Sequence, residues 1–149
     1  MTPTTDSGLT RRVMDCAVEV HRQLGPGLFR DVYETCLAME LTAAGLPFER
    51  GRVLPVVYDG HQLAFRCQTD LIVANSLILQ VEAADEIELI HEQRLRTGLW
   101  AGGLPLGLLL NFNVVAMVDG ITQMISNAAE GQPPPTHDVF EDPDLGSTL

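Results

Sequence analysis

The stretch TDLIVANSLILQVEAADEI, residues 69–87, decides how this chain folds. An acid, Asp70, heads the apolar run Leu71–Val73. Ala74-Asn75-Ser76 reads as a tight turn. A second apolar run starts at Leu77, and its near-continuous apolar character predicts a strand in the middle of a sheet. Two antiparallel strands joined by that turn set Asp70 opposite Gln80–Glu82. Side chains alternate along a strand, so Gln80 and Glu82 share one face and Val81 takes the other.

Outward from this pair, the periodicity changes. Upstream, Val13, Cys16, Ala17, Val20 and Leu24 recur at helical spacing and predict a helix from about Ser7 to Gln23, capped by Ser7 or Thr10. Gly25-Pro26-Gly27 ends it. Tyr33, Leu37, Leu41 and Ala44 predict a second helix over 30–44, closed by Gly45. Residues around Val53 and Val57, the turn Asp59-Gly60 and the run Leu63–Cys67 read as a hairpin. Downstream, a third helix is expected over 85–101, burying Ile87, Ile90, Leu95 and Leu99. A buried strand over 106–112 and a final hairpin of 114–118 with 121–125 complete the pattern. This order predicts an α/β protein with a mixed central β-sheet flanked by helices.

The domain is expected to span residues 1–127. Residues 128–149 read as a flexible acidic, proline-rich tail. The N-terminal MTPTTDSGLTRR has no apolar run, so no secretory leader is expected, and no stretch is long enough to cross a membrane. Three cysteines without a CxxC pair argue against structural zinc and suit buried free thiols in the cytoplasm. The net charge is −11; with the tail's five acids set aside, fifteen carboxylates still face nine arginines, a balance of −6. There is no lysine. Phosphate backbones are bound chiefly by cations, so the balance favours protein partners or self-association and leaves nucleic acid only as a possible ligand.

The segments AVEVHRQLGPGLFRDVYE (17–34) and TDLIVANSLILQVEAADEIELIHEQRL (69–95) resemble the GxxExxY family, a branch of the PD-(D/E)XK nuclease superfamily. The resemblance covers most of residues 13–126. It implies a PD-(D/E)XK nuclease-like core and a divalent metal held by an aspartate and a glutamate, with a lysine two residues beyond. Asp70 matches the metal-binding aspartate. Gln80 stands in place of the second acid, and Glu82 in place of the lysine. In the Gly-x-x-Glu-x-x-Tyr motif Gly27 and Tyr33 match, but Arg30 occupies the glutamate position. His91 and Glu92 match, whereas Arg94 sits where glutamine is usual. Tyr33, His91, Glu92 and Arg94 are therefore expected binding positions around the site.

Two functions follow. In the first, the centre is degenerate: Arg30 faces Asp70 as a guanidinium in place of a metal, cleavage is little or none, no cofactor is needed, and the protein acts by binding. In the second, Asp70 and Glu82 hold Mg or Mn, with Gln80 orienting metal or water, and the protein cuts DNA or RNA phosphodiesters.

Overall fold

In a computed structural model, which describes residues 7–126, three helices surround a five-stranded sheet. Helix α1 (Ser7–Leu24) and helix α2 (Arg30–Ala43) form an antiparallel pair. Gly45 lies just beyond α2 at φ +74, a left-handed position that closes a helix cheaply only for glycine. Strand β1 (Phe48–Arg50) follows. Strands β2 (Val53–Tyr58) and β3 (His61–Gln68) form a separate hairpin turning at Asp59-Gly60. Then come β4 (Leu71–Val73), β5 (Leu77–Glu82), α3 (Leu89–Gly102), β6 (Leu106–Asn111) and β7 (Ile121–Ile125).

The sheet order is β1-β4-β5-β6-β7. Strands β5 and β6 are parallel, joined through α3, and all other neighbours are antiparallel. The expected mixed α/β sheet is thus present, with the quoted stretch at its centre. Alternation along β5 sorts its side chains. Leu77, Leu79 and Val81 join the core under α1 and α2, while Ile78 joins Leu95, Leu99 and Leu109 under α3. Each fully buried leucine stabilises the fold by roughly 1.5–3 kcal/mol relative to exposure. Gly107 admits Leu95 closely: a Cβ there would stand 2.9 Å from its Cδ1. The β2–β3 hairpin lies against α3.

Several local expectations are corrected. Thr10 lies within α1, buried, rather than at its cap, and Leu24 is partly exposed. Helix α3 starts at Leu89, because Ala83–Glu88 cross over the end of the sheet first, and Ile90 is exposed. Residues 114–118 do not form a strand: Asn113 turns the chain, and a 3-10 turn, Met117–Gly120, leads into β7. Strand β1 went unpredicted, being only three residues with one partly buried side chain. The tail from residue 128 and the side chains of residues 64–67, Cys67 included, lie outside the described residues. Cys16 is buried, which pushes its thiol pKa up, and Cys36 is half-buried.

The 3-10 turn is packed backbone to backbone. A Cβ on Gly120 would stand 2.0 Å from the Asn111 carbonyl oxygen, which no rotamer change relieves. Gly120→Ala is expected to destabilise the protein by about 3 kcal/mol, seen as a lower urea midpoint with an unchanged slope.

Candidate functional site

The site grows from a break in the sheet. Leu71 pairs with Leu79, so the register would next place Thr69 opposite Val81. Instead the chain has already turned away: the Thr69 amide donates to the Arg52 carbonyl at 3.0 Å, and the Gly51 amide donates to the Asp70 carbonyl at 3.0 Å. The main-chain groups of Val81 lose their strand partner. Two side chains replace it. The Val81 amide donates to Asp70 Oδ2 at 2.8 Å, and Arg30 Nε donates to the Val81 carbonyl at 2.9 Å. Buried backbone polar groups must be paired, so this bracket is a structural necessity as well as a site.

Arg30 and Asp70 also meet each other. Arg30 Nη2 forms an ion pair with Asp70 Oδ1, and it donates to Glu34 Oε1 at 2.7 Å. Glu34 lies one helical turn on, where i,i+4 side chains meet. Its second oxygen accepts from Arg50 Nη2 at 3.0 Å. The result is an alternating chain of charges, Asp70, Arg30, Glu34, Arg50. A cation in the first turn of a helix opposes the helix dipole; the carboxylates of Glu34 and Asp70 offset that. The contact of Arg30 with exposed Asp31 at 3.1 Å contributes little in water.

Burial pushes the Asp70 pKa up, and the nearby carboxylates Glu34 and Glu82 push the same way; the Val81 amide and Arg30 pull it down. For Arg30, burial lowers the pKa, but the charges of Asp70 and Glu34 outweigh it and raise it. The direction on Arg30 accords with an ionised pair. On Asp70 desolvation wins only in part, because its two oxygens are each matched by a donor.

Gln80 and Glu82 lie side by side, as alternation requires. Gln80 Nε2 donates to Glu82 Oε2 at 2.9 Å and to the His91 carbonyl at 2.8 Å. His91 acts locally: its Nδ1 accepts from the Glu88 amide at 2.9 Å, capping the start of α3. Tyr33 is fully buried. It stacks on Phe112 with centroids 4.8 Å apart, and its hydroxyl donates to the Gly25 carbonyl at 2.6 Å. Glu92 is half-buried and Arg94 exposed on α3, and neither side chain makes an ion pair or hydrogen bond among the described residues. Thus Arg30, Asp70, Gln80 and Glu82 gather at one end of β5, His91 touches the group through its carbonyl, and Tyr33 lies in the core, bonded to the Gly25 loop.

Sequence reasoning missed four participants. Glu34 was available from its i,i+4 spacing to Arg30. Arg50 was hidden by the shortness of β1. Asn111 and Asn113 stand out as amides closing the apolar run LGLLLNFN. Asn111 Oδ1 accepts from the Ala84 amide at 3.0 Å and its Nδ2 donates to the Ala84 carbonyl at 3.0 Å. Asn113 Oδ1 accepts from the Gly27 amide at 3.1 Å, and its Nδ2 donates to Asp85 Oδ1 at 3.0 Å. These amides tie three loops together over the carboxyl ends of β5 and β6.

Residues 7–124 match the family model described as the PD-(D/E)XK nuclease superfamily. The chain belongs to that superfamily. No curated protein matches it. A solved structure titled "Crystal structure of SSO0001" is similar at 14% identity with a TM-score of 0.48, over 74% of this chain and 62% of that one. The chain therefore spans less than two thirds of that protein.

The metal implied by PD-(D/E)XK membership would take one or two carboxylates with open oxygens, plus water and phosphate oxygens. The residues present do not fit it in this arrangement. A guanidinium covers one Asp70 oxygen, the Val81 amide holds the other, Gln80 offers only a neutral carbonyl oxygen, and one Glu82 oxygen is taken by the Gln80 amide. Among the described residues no three His, Cys, Asp or Glu side chains are grouped to hold an ion. Arginine stays charged at any accessible pH, so Arg30 can neither take nor give a proton.

Removing Arg30 would leave the Val81 carbonyl and a half-buried Asp70 carboxylate without their donor. Breaking a buried pair costs about 3–5 kcal/mol. Arg30 is 35% and Asp70 22% exposed, so Arg30→Ala is expected to cost about 2 kcal/mol near neutral pH after solvent screening. The sign with pH follows from the pull of Arg30, which lowers the Asp70 pKa against burial; without it that pKa rises further. A carboxyl that binds its proton more tightly in the fold favours folding at low pH, and that advantage fades as pH rises through its folded value. The Arg30→Ala deficit should therefore shrink at about pH 4, near the ordinary carboxylate range, when urea unfolding is compared at the two pH values.

Proposed function

We propose that this protein is a non-cleaving member of the PD-(D/E)XK superfamily, of the GxxExxY branch, that acts by binding another protein molecule. The observation that carries this reading is the contact of Arg30 with Asp70. The one acid kept in register with the superfamily's metal ligand is engaged by a fixed cation and by a backbone amide. A guanidinium supplies charge balance but no coordination sites, no activated water and no proton relay. The absence of lysine anywhere in the chain removes a migrated replacement for the residue that Glu82 displaces. The branch assignment rests on the segments 17–34 and 69–95, with Gly27 and Tyr33 placed around Arg30.

The net charge of −11 supports protein over nucleic acid as the partner, since polyanions are attracted by the opposite sign. Nucleic-acid binding is the ordinary business of a nuclease superfamily, and it is the outcome the test must exclude.

Purified protein with Mg or Mn is expected to leave single- and double-stranded DNA and RNA uncut, and calorimetry with Mn is expected to show no binding heat. Metal-dependent cutting that disappears in Asp70→Ala would overturn the reading. The triple variant Arg30→Glu, Gln80→Glu, Glu82→Lys is expected to bind Mn by the same calorimetry, because two acids and Asp70 are then free of the guanidinium.

A further inference from the structure

Over the carboxyl ends of β5 and β6, the three loops tied by Asn111 and Asn113 expose large apolar side chains. Phe29 at the start of α2 is 85% exposed and Val115 in the β6–β7 connection is 94% exposed. Leu28 is exposed beside Phe29. The Gly27–Asn113 hydrogen bond holds the two loops together. Neither the bracket on Val81 nor the core uses these side chains. The polar groups interleaved with them carry one sign. Asp31 is 93% exposed next to Phe29, and Asp85 and Glu86 are exposed on the third loop. The nearby cation, Arg30, is turned inward onto Val81, Glu34 and Asp70, and only its outer nitrogen reaches Asp31, at 3.1 Å.

Exposed aromatic and aliphatic groups with acids between them complement one chemistry: a segment bearing apolar side chains and positive charge. From this surface we infer that the protein docks a cationic amphipathic helix or strand of another protein, apolar side chains against Leu28, Phe29 and Val115, and Lys or Arg against Asp31, Asp85 and Glu86. The inference rests on the non-cleaving, protein-binding reading and names the partner's chemistry. A nucleic acid would bring phosphates against those acids. A second copy would bring the same acids against themselves.

Fluorescence anisotropy of the full chain tests this with two labelled peptides of about 18 residues, five helical turns. One alternates Lys and Leu in an amphipathic pattern; the other carries the same lysines with Ser in place of Leu. At near-physiological salt, where exposed charges are screened beyond about 8 Å, the Lys/Leu peptide is expected to bind at least about tenfold more tightly. The double variant Phe29→Ser, Val115→Ser should reduce that preference below about threefold, because the anchoring apolar area is gone. Asp31→Lys with Glu86→Lys should weaken both peptides. Both positions of each variant are exposed, and an unchanged melting temperature confirms the fold. Equal affinity for the two peptides, or a preference untouched by the Phe29/Val115 variant, overturns the inference. So does a sedimenting dimer, or tight binding of single-stranded DNA, that the same variant abolishes. If no peptide binds and no nucleic acid is cut, the docking proposal falls and the non-cleaving reading stands; if nucleic acid is cut, that reading falls first.

Discussion

The bracket on Val81 is the constraint around which this molecule is arranged. Strand β4 leaves β5 after a three-residue ladder, and the Val81 amide and carbonyl face the gap. Unpaired, each would cost on the order of 1–3 kcal/mol inside the protein. Asp70 and Arg30 close the gap from different elements, one from just before β4 and the other from the first turn of α2. Their mutual ion pair then locks helix to sheet. The gap left where β4 splays from β5 is filled by side chains of the protein itself.

That filling changes what the centre can do. A divalent ion brings vacant positions for water and phosphate; a guanidinium brings a flat fork of donors, all directed at oxygens the protein already owns. Arg30 faces Asp70, Glu34 and the Val81 carbonyl, and Glu34 in turn faces Arg50. Charge alternates along this row of side chains, from Asp70 through Arg30 and Glu34 to Arg50. The outward-facing acids Asp31, Asp85 and Glu86 are exposed; Asp31 touches only the outer nitrogen of Arg30 and Asp85 accepts from Asn113, so they leave the surface there acidic. Among the described residues no helix is long and apolar enough to cross a membrane.

Much of the architecture was legible beforehand, for reasons that can be located. The turn at Ala74-Asn75, the apolar start of β5 and the glycines after α1, α2 and α3 are local signals, and each acted where it was read. The facing of Arg30 and Asp70 was also legible, because the resemblance placed both at one centre and opposite charges attract. Failures occurred where tertiary contacts overruled local pattern. Val114–Val118 alternates like a strand, yet Asn113 is engaged by Gly27 and Asp85, which turns the chain out of the sheet. Ile90 fits a helical stripe, yet α3 begins only at Leu89, so Ile90 lies in its exposed first turn. Strand β1, held by pairing to β4 rather than by its own pattern, carried no signal at all.

By itself the sequence determined the fold class, the placing of Asp70 close to residues 80–82, the lack of any lysine, and the acidic balance, because periodicity, turn residues and charge are local or additive properties. Only the tertiary structure decided that Asp70 is committed to Val81 and Arg30 at once, that Glu34 and Arg50 extend the pair, and that two asparagines bind three loops into one surface. Those outcomes depend on where a strand leaves its neighbour, and hydrogen bonding in the gap it leaves is settled by groups distant in the chain.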